Sequence, residues 1–264
     1  MNHLMTISRD GFPLAVQISG PAGAPALLLL QGQANSHTWW ERTRADFEPE
    51  FRTITFDYRG TGRSRGEIGQ PSSTSFADDA VDVLDFLGIP SADVYGTSMG
   101  GRIAQMVALN HPDRVDALVL GCTAPGGAPA VKRPREVGAA LAKLRGREYL
   151  EYLHSLFYTP DWPGAPEDSN LLGDDTMNAA ESAAHLRISA EHNAWDRLPS
   201  ITAPTLIIHG DADQMNPVEN ARLMDRRIPD SRLVILPGGR HGFFEEFAEQ
   251  VTPEIIGFLR DRNG

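Results

Sequence analysis

The chain reads as an α/β protein: a mostly parallel, doubly wound sheet with a helical cap inserted between two core strands. Three observations predict this. Short apolar runs bounded by Gly or Pro recur along the chain. Amphipathic helical stretches separate them. One long stretch, 128–193, carries helical patterns without a convincing strand. Apolar runs of about four to eight residues suit strands buried on both faces, and strand–helix–strand repetition implies right-handed crossovers.

The expected strands are Ala26–Leu30, Thr53–Asp57, Asp93–Gly96, Ala117–Gly121, Thr205–His209 and Leu233–Leu236, with Leu14–Ser19, an alternating piece, as an antiparallel edge strand. Between them Ser75 is expected to open a helix that carries Phe76, Ala80, Val83, Leu84 and Leu87 on one face and stops at Gly88 and Pro90. A second helix runs from about Ser98 to Asn110, ending before Pro112. A third runs from about Asn216 to Arg227 with Pro217 in its first turn, and the last from about Phe243 to Arg260. Within the insert the helical patterns cover Glu136–Arg145, Arg147–Phe157 and Met177–His192. An insert of about 65 residues exceeds an ordinary loop. The expected organisation is therefore a core of 1–127 and 194–264 and a cap of 128–193.

Composition removes several function classes. Hydrophobic residues make up 41%, an ordinary globular share. Lys plus Arg number 24 against 35 acids, a net charge of −11, which argues against a nucleic-acid or polybasic membrane-surface partner. One cysteine, Cys122, excludes an intramolecular disulfide and a four-cysteine zinc site. Only Lys132 and Lys143 could supply a Schiff-base amine, and both lie in a polar stretch. The first residues lack a basic start and long apolar run, and the aliphatic run Ala26–Leu30 is too short to cross a bilayer. The expectation is a cytoplasmic protein, monomer or homodimer.

The strongest chemical signal is Gly96-Thr97-Ser98-Met99-Gly100-Gly101, with a strand leading in and a helix leading out. That is the setting of a nucleophile elbow. The serine stands on a sharp turn, so its neighbours at −2 and +2 must be small. The helix N-terminus then directs free N–H groups at a developing oxyanion. A serine hydroxyl needs a base. His241, in the loop after Leu233–Leu236, suits that role better than the other seven histidines, which lie at helices, a strand end or the terminal segment. An acid must orient the histidine, and His209-Gly210-Asp211-Ala212-Asp213 offers two carboxylates. A metal site is not expected there, because no second histidine follows at i+2 or i+4.

These segments resemble the α/β-hydrolase superfamily, in particular the small bacterial serine esterase, enol-lactonase and cofactor-free haloperoxidase-like group. The resemblance covers nearly the whole chain. It rests on Gln31-Gly32-Gln33, the segment from Asp57 to Ser64, the elbow, the Asp loop and the His loop. It implies the chain order Ser98, Asp, His241. It places the acid three residues after the glycine ending its strand, which is Asp213. The other position used in the family holds Cys122-Thr123-Ala124, without a carboxylate. It assigns the oxyanion-hole N–H groups to Gln33 and Met99. Gln31 stands where the family usually has histidine, and Arg240 where glycine is common. The segment from Asp57 to Ser64 is expected to brace the sheet through turn glycines and an Arg–Asp pair.

The implied activity is hydrolysis of a carboxylic ester or lactone, with no cofactor and no metal. Serine at the elbow sets aside the aspartate-dependent dehalogenases and epoxide hydrolases. The alternatives are a carbon–carbon bond hydrolase or a cofactor-free haloperoxidase of the same fold and, from another class, a non-catalytic small-molecule receptor. Trp39, Phe157, Trp162 and Phe243 are candidates for an apolar substrate wall, with core packing as the plainer role. A dianionic lactone would call for cations in the pocket, and Arg63, Arg102 and Arg240 are candidates.

Overall fold

A computed structural model describes residues 3–263. Its strands are β1 His3–Arg9, β2 Phe12–Ser19, β3 Ala26–Leu30, β4 Arg52–Phe56, β5 Ala92–Thr97, β6 Val115–Gly121, β7 Thr205–Gly210 and β8 Ser231–Leu236. They form one eight-stranded sheet in the order β1-β2-β4-β3-β5-β6-β7-β8. From β4 to β8 every pairing is parallel, whereas β2 is antiparallel to both β1 and β4.

The period of two divides the parallel strands between two cores. Leu28 and Leu30 of β3 and Leu118 and Leu120 of β6 enter one cluster. Leu27, Leu29, Ala117 and Val119 enter the other. Both faces are dry, which is why these strands read as continuous apolar runs. Each fully buried leucine contributes roughly 1.5–3 kcal/mol.

One expected edge is corrected. Leu14–Ser19 is not an edge, because β2 is flanked on both sides and β1 forms the border. Asp10 (φ 48°) and Gly11 (φ 79°) close a two-residue hairpin between Arg9 and Phe12. That Asp-Gly pair is a hairpin signal. In β1, Ile7 is buried while Leu4, Thr6 and Ser8 are exposed, so the strand alternates too weakly to stand out by hydropathy.

The helices are α1 Arg44–Phe47, α2 Ser73–Phe86, α3 Met99–Asn110, α4 Arg135–Lys143, α5 Gly146–Phe157, α6 Ala179–Glu191, α7 Glu219–Asp225, α8 Phe243–Glu246 and α9 Ala248–Asn263. Ser75 does not open α2. Ser72 is the cap, and Ser75 returns the bond as the third residue of a capping box. The expected last helix is two helices, interrupted at Phe247 (φ −110°, ψ 33°). The expected helix from Asn216 narrows to α7, because the residues before it serve the Asp213 loop.

Between β6 and β7 lie α4, α5 and α6, joined by loops and a short 3₁₀ turn. An isolated bridge pairs Gly126 with Asn193 where this segment leaves and rejoins the core. A Cβ on Gly126 would stand 1.9 Å from the His192 carbonyl oxygen, so only glycine permits that approach. Polar contacts from three of its residues, among others, tie the segment to core loops. Arg65 Nη1 is 2.9 Å from Glu181 Oε2, and the Gly62 N–H donates to Asp174 Oδ2 at 2.5 Å. His185 Nδ1 accepts from the Ala34 N–H at 3.3 Å while its Nε2 donates to the Arg59 carbonyl at 3.0 Å.

Candidate active site

Ser98 sits between β5 and α3 with φ 55° and ψ −118°, a strained backbone for a residue with a side chain. Its neighbours make the turn possible. A Cβ on Gly96 would lie 2.3 Å from the Gly100 carbonyl oxygen, and one on Gly100 would lie 2.0 Å from the Leu30 carbonyl oxygen. The small residues on either side of the serine are thus required by backbone contact. The Ser98 N–H donates to the Gly121 carbonyl at 2.9 Å, and Thr123 Oγ1 donates to the Ser98 carbonyl at 2.6 Å. Those bonds hold the turn in its strained form.

His241 arrives on the loop between β8 and α8. Its Nε2 is 3.0 Å from Ser98 Oγ, and its Nδ1 is 2.8 Å from Asp213 Oδ2. The ring is buried and stands edge-on to Phe157, with centroids 4.9 Å apart. The His241 N–H donates to the Leu156 carbonyl at 3.2 Å, so the end of α5 helps to fix the loop.

Asp213 lies on the loop after β7. Its Oδ1 accepts from the N–H groups of Met215 (2.7 Å) and Asn216 (3.0 Å), leaving Oδ2 for the histidine. Burial alone would raise its pKa; the charge and hydrogen bonds of His241 and His209 outweigh that and hold the carboxyl well below the usual carboxylate range. Asp211 points elsewhere, its Oδ1 accepting from the Gly238 N–H at 2.7 Å.

Sequence reading passed over His209 as a strand end. It is fully buried, with Nε2 2.7 Å from the Asn216 carbonyl oxygen and 3.3 Å from Asp213 Oδ2. Its position at the end of a strand, four residues before the acid, was the available signal. Among the described residues no group of three or more His, Cys, Asp or Glu is placed to hold a metal ion.

Met99 begins α3, where a first-turn N–H has no partner within the helix. Gln33 lines the cavity beside Ser98. Gln31, in the place of the usual histidine, is buried and donates from Nε2 to the Phe56 carbonyl at 2.7 Å, while Tyr58 Oη donates to its carbonyl at 3.2 Å. The glutamine thus joins the end of β3 to β4. Asp57 ties the adjoining loops together, accepting from the His37 and Arg63 N–H groups, each at 2.8 Å. The bracing Arg–Asp pair is Arg59 with Asp79 of α2, bidentate at 2.8 and 2.7 Å.

A cavity of about 400 Å³ opens on Ser98 and His241. Trp39 and Phe157 line it. Trp39 donates from Nε1 to Thr97 Oγ1 at 2.9 Å and stacks on Phe244. Trp162 and Phe243 do not line it. Trp162 stacks on Tyr158 at 4.8 Å, and Phe243 is buried against Phe244. Of the three arginines, Arg102 lines the cavity and Arg63 and Arg240 do not. Arg240 instead donates to the Tyr158 carbonyl at 2.9 Å, at the end of α5. Arg133, from the loop before α4, also lines the cavity. Nothing in its sequence neighbourhood marks it, because its approach depends on how the segment folds back.

This geometry, on this sheet, defines an α/β hydrolase. Residues 25–248 match the α/β-hydrolase fold family, and the chain belongs to it. Over 91% of its length it is 31% identical to a protein of Caulobacter sp. (strain K31) named carbamate hydrolase RutD, of which 92% is covered. Over 98% of its length it is 27% identical to a 3-oxoadipate enol-lactonase of Acinetobacter baylyi, of which 98% is covered. Among solved structures it is similar to an esterase from Exiguobacterium antarcticum, with a TM-score of 0.84, 26% identity and coverage of 98% of this chain and 100% of that one. No helix among the described residues is long and apolar enough to cross a membrane.

Proposed function

We propose that the protein hydrolyses a carboxylic ester or lactone through Ser98, His241 and Asp213. The observation that carries this is the continuous hydrogen-bonded line from Ser98 Oγ through His241 to Asp213, at 3.0 and 2.8 Å. Ser98 Oγ attacks the acyl carbon as His241 Nε2 accepts its proton. Asp213 Oδ2 holds the Nδ1–H tautomer and stabilises the imidazolium. The N–H groups of Gln33 and Met99 receive the oxyanion. His241 then protonates the departing alcohol, and water repeats the cycle on the acyl-enzyme.

The test is hydrolysis of p-nitrophenyl esters from acetate to decanoate by the wild type and Ser98→Ala. Turnover by the wild type and a loss of about 10³-fold or more in the variant are expected. A wild type inert toward every ester overturns a simple esterase and turns the assay to lactones and ring-cleavage products, and binding without turnover would point to a receptor.

The Caulobacter relative's name favours a second reading, a carbamate substrate. Its acyl carbon would meet the same nucleophile. Parallel assays of an ester and a carbamate with the same leaving group separate the two by kcat/KM.

A further inference from the structure

The cavity is charged in the opposite sense to the protein. The chain carries 35 acids and a net charge of −11, yet the cavity wall holds two arginines and neither Asp nor Glu. Arg102 lies four residues after Ser98 on α3, one helical turn along the same face. Its Nη2 donates to Asn216 Oδ1 at 3.1 Å, a neutral acceptor, and its Nε is buried without a hydrogen-bond partner. Arg133 comes from the loop before α4. Its Nη1 is 3.9 Å from Met215 Sδ. Among the described residues neither guanidinium has a carboxylate within 4.0 Å, although elsewhere Arg59, Arg65 and Arg114 each pair with one. The nearby negative charge, on Asp213, is engaged by His241 and two backbone N–H groups.

The buried Arg102 Nε is a donor without a partner, which is costly unless something anionic meets it. Burial and the neighbouring Arg133 push the Arg102 pKa down to about 10, far enough above neutrality that the charge persists. Two guanidiniums on the wall of one concave, partly apolar site can present several N–H donors to one carboxylate.

We propose that Arg102 and Arg133 form a carboxylate-binding subsite, so that the substrate is an ester or lactone that carries its own carboxylate away from the scissile bond. This rests on the reading of Ser98 as the nucleophile of an ester or lactone hydrolase. Asn216 is a positioning residue, holding Arg102 through Oδ1 while its Nδ2 donates to the Cys122 carbonyl at 2.7 Å.

The experiment compares p-nitrophenyl hydrogen adipate with p-nitrophenyl methyl adipate, which is the same acyl chain with its charge capped. The wild type is expected to prefer the anionic ester by about tenfold or more in kcat/KM, and the preference is expected to shrink with added salt. In Arg102→Gln and Arg133→Gln the ratio is expected to fall to within about threefold of unity, and Arg133→Glu to favour the capped ester. A wild-type ratio near one, or a ratio unchanged in both glutamine variants, overturns the subsite. Arg102 is built into the contact with Asn216, so Arg133→Gln, whose side chain is open to solvent, carries the test if Arg102→Gln does not fold.

Adipate binding to Ser98→Ala, measured by calorimetry, separates the subsite from the nucleophile. Binding that weakens about tenfold on adding Arg133→Gln supports the subsite even if no ester is turned over. Binding that is absent, or indifferent to Arg133, overturns it even if neutral esters are hydrolysed.

Discussion

The two walls of the cavity are built differently. On the core side Ser98, Asp213 and His241 stand on loops at the ends of β5, β7 and β8, and glycine contacts and backbone hydrogen bonds fix each of them. On the other side α4 buries only Val137 among its residues, and α5 only Leu153, Leu156 and Phe157. α6 buries Glu181, Ala184, His185 and Ile188, and polar ties to core loops hold the segment down. Under the proposed function the difference separates two tasks. Reacting groups need positions within fractions of an ångström, which close backbone packing on a sheet supplies. A substrate wall needs only shape and charge, which helices laid over the sheet can supply.

The largest expected effect falls on the core wall. His241→Ala and Asp213→Asn should each lower kcat by about 10³–10⁴-fold, with the fold retained by circular dichroism. An Asp213→Asn enzyme with near wild-type kcat would mean that the carboxylate does not set the histidine tautomer.

Stability should divide the same way. Leu120→Ala, inside the sheet, should cost about 2–5 kcal/mol in denaturant unfolding. Leu141→Ala, half-buried on α4, should cost under about 1 kcal/mol while shifting the acyl-length optimum. Equal losses would show that the segment is as integral to folding as the sheet.

Acid should loosen the junction between the segment and the core. His192, where the segment rejoins the core, is buried with Nδ1 3.0 Å from Ser73 Oγ, and burial lowers its pKa to about 3. An unfolded histidine titrates near 6.5, so the unfolded state binds the extra proton between those values. Stability should therefore fall as pH drops from about 6.5 toward 3, and His192→Gln should flatten that slope in thermal melts. Asp213, held low, contributes stability above the ordinary carboxylate pKa and loses it only under strong acid.

The smallest effect belongs to a single tie. Glu181→Gln, opposite the partly exposed Arg65, should cost about 1 kcal/mol or less, measured by melting, and raise KM more than it lowers kcat.

Much of the parallel sheet was legible, because strands dry on both faces leave unbroken apolar runs such as Ala26–Leu30 and Ala117–Gly121. β1 was not, since one of its faces is open to solvent and its alternation is faint; the Asp10-Gly11 turn was the clue passed over. The elbow could be read because its glycines have a local steric cause. Arg133 could not, because no local rule says which of many exposed arginines a folded-back loop will bring to a cavity.

By itself the sequence determined what short-range physics dictates: hydropathy period, turn residues, and the order of Ser98, Asp213 and His241 along the chain. Tertiary structure alone decided which distant groups meet. The 3.0 Å approach of Ser98 to His241, the shared hold of His209 and His241 on Asp213, and the presence of Arg102 and Arg133 at one cavity span 143, 28 and 31 residues of chain or fewer. Such distances are set by sheet order and packing, to which no local pattern of residues is sensitive.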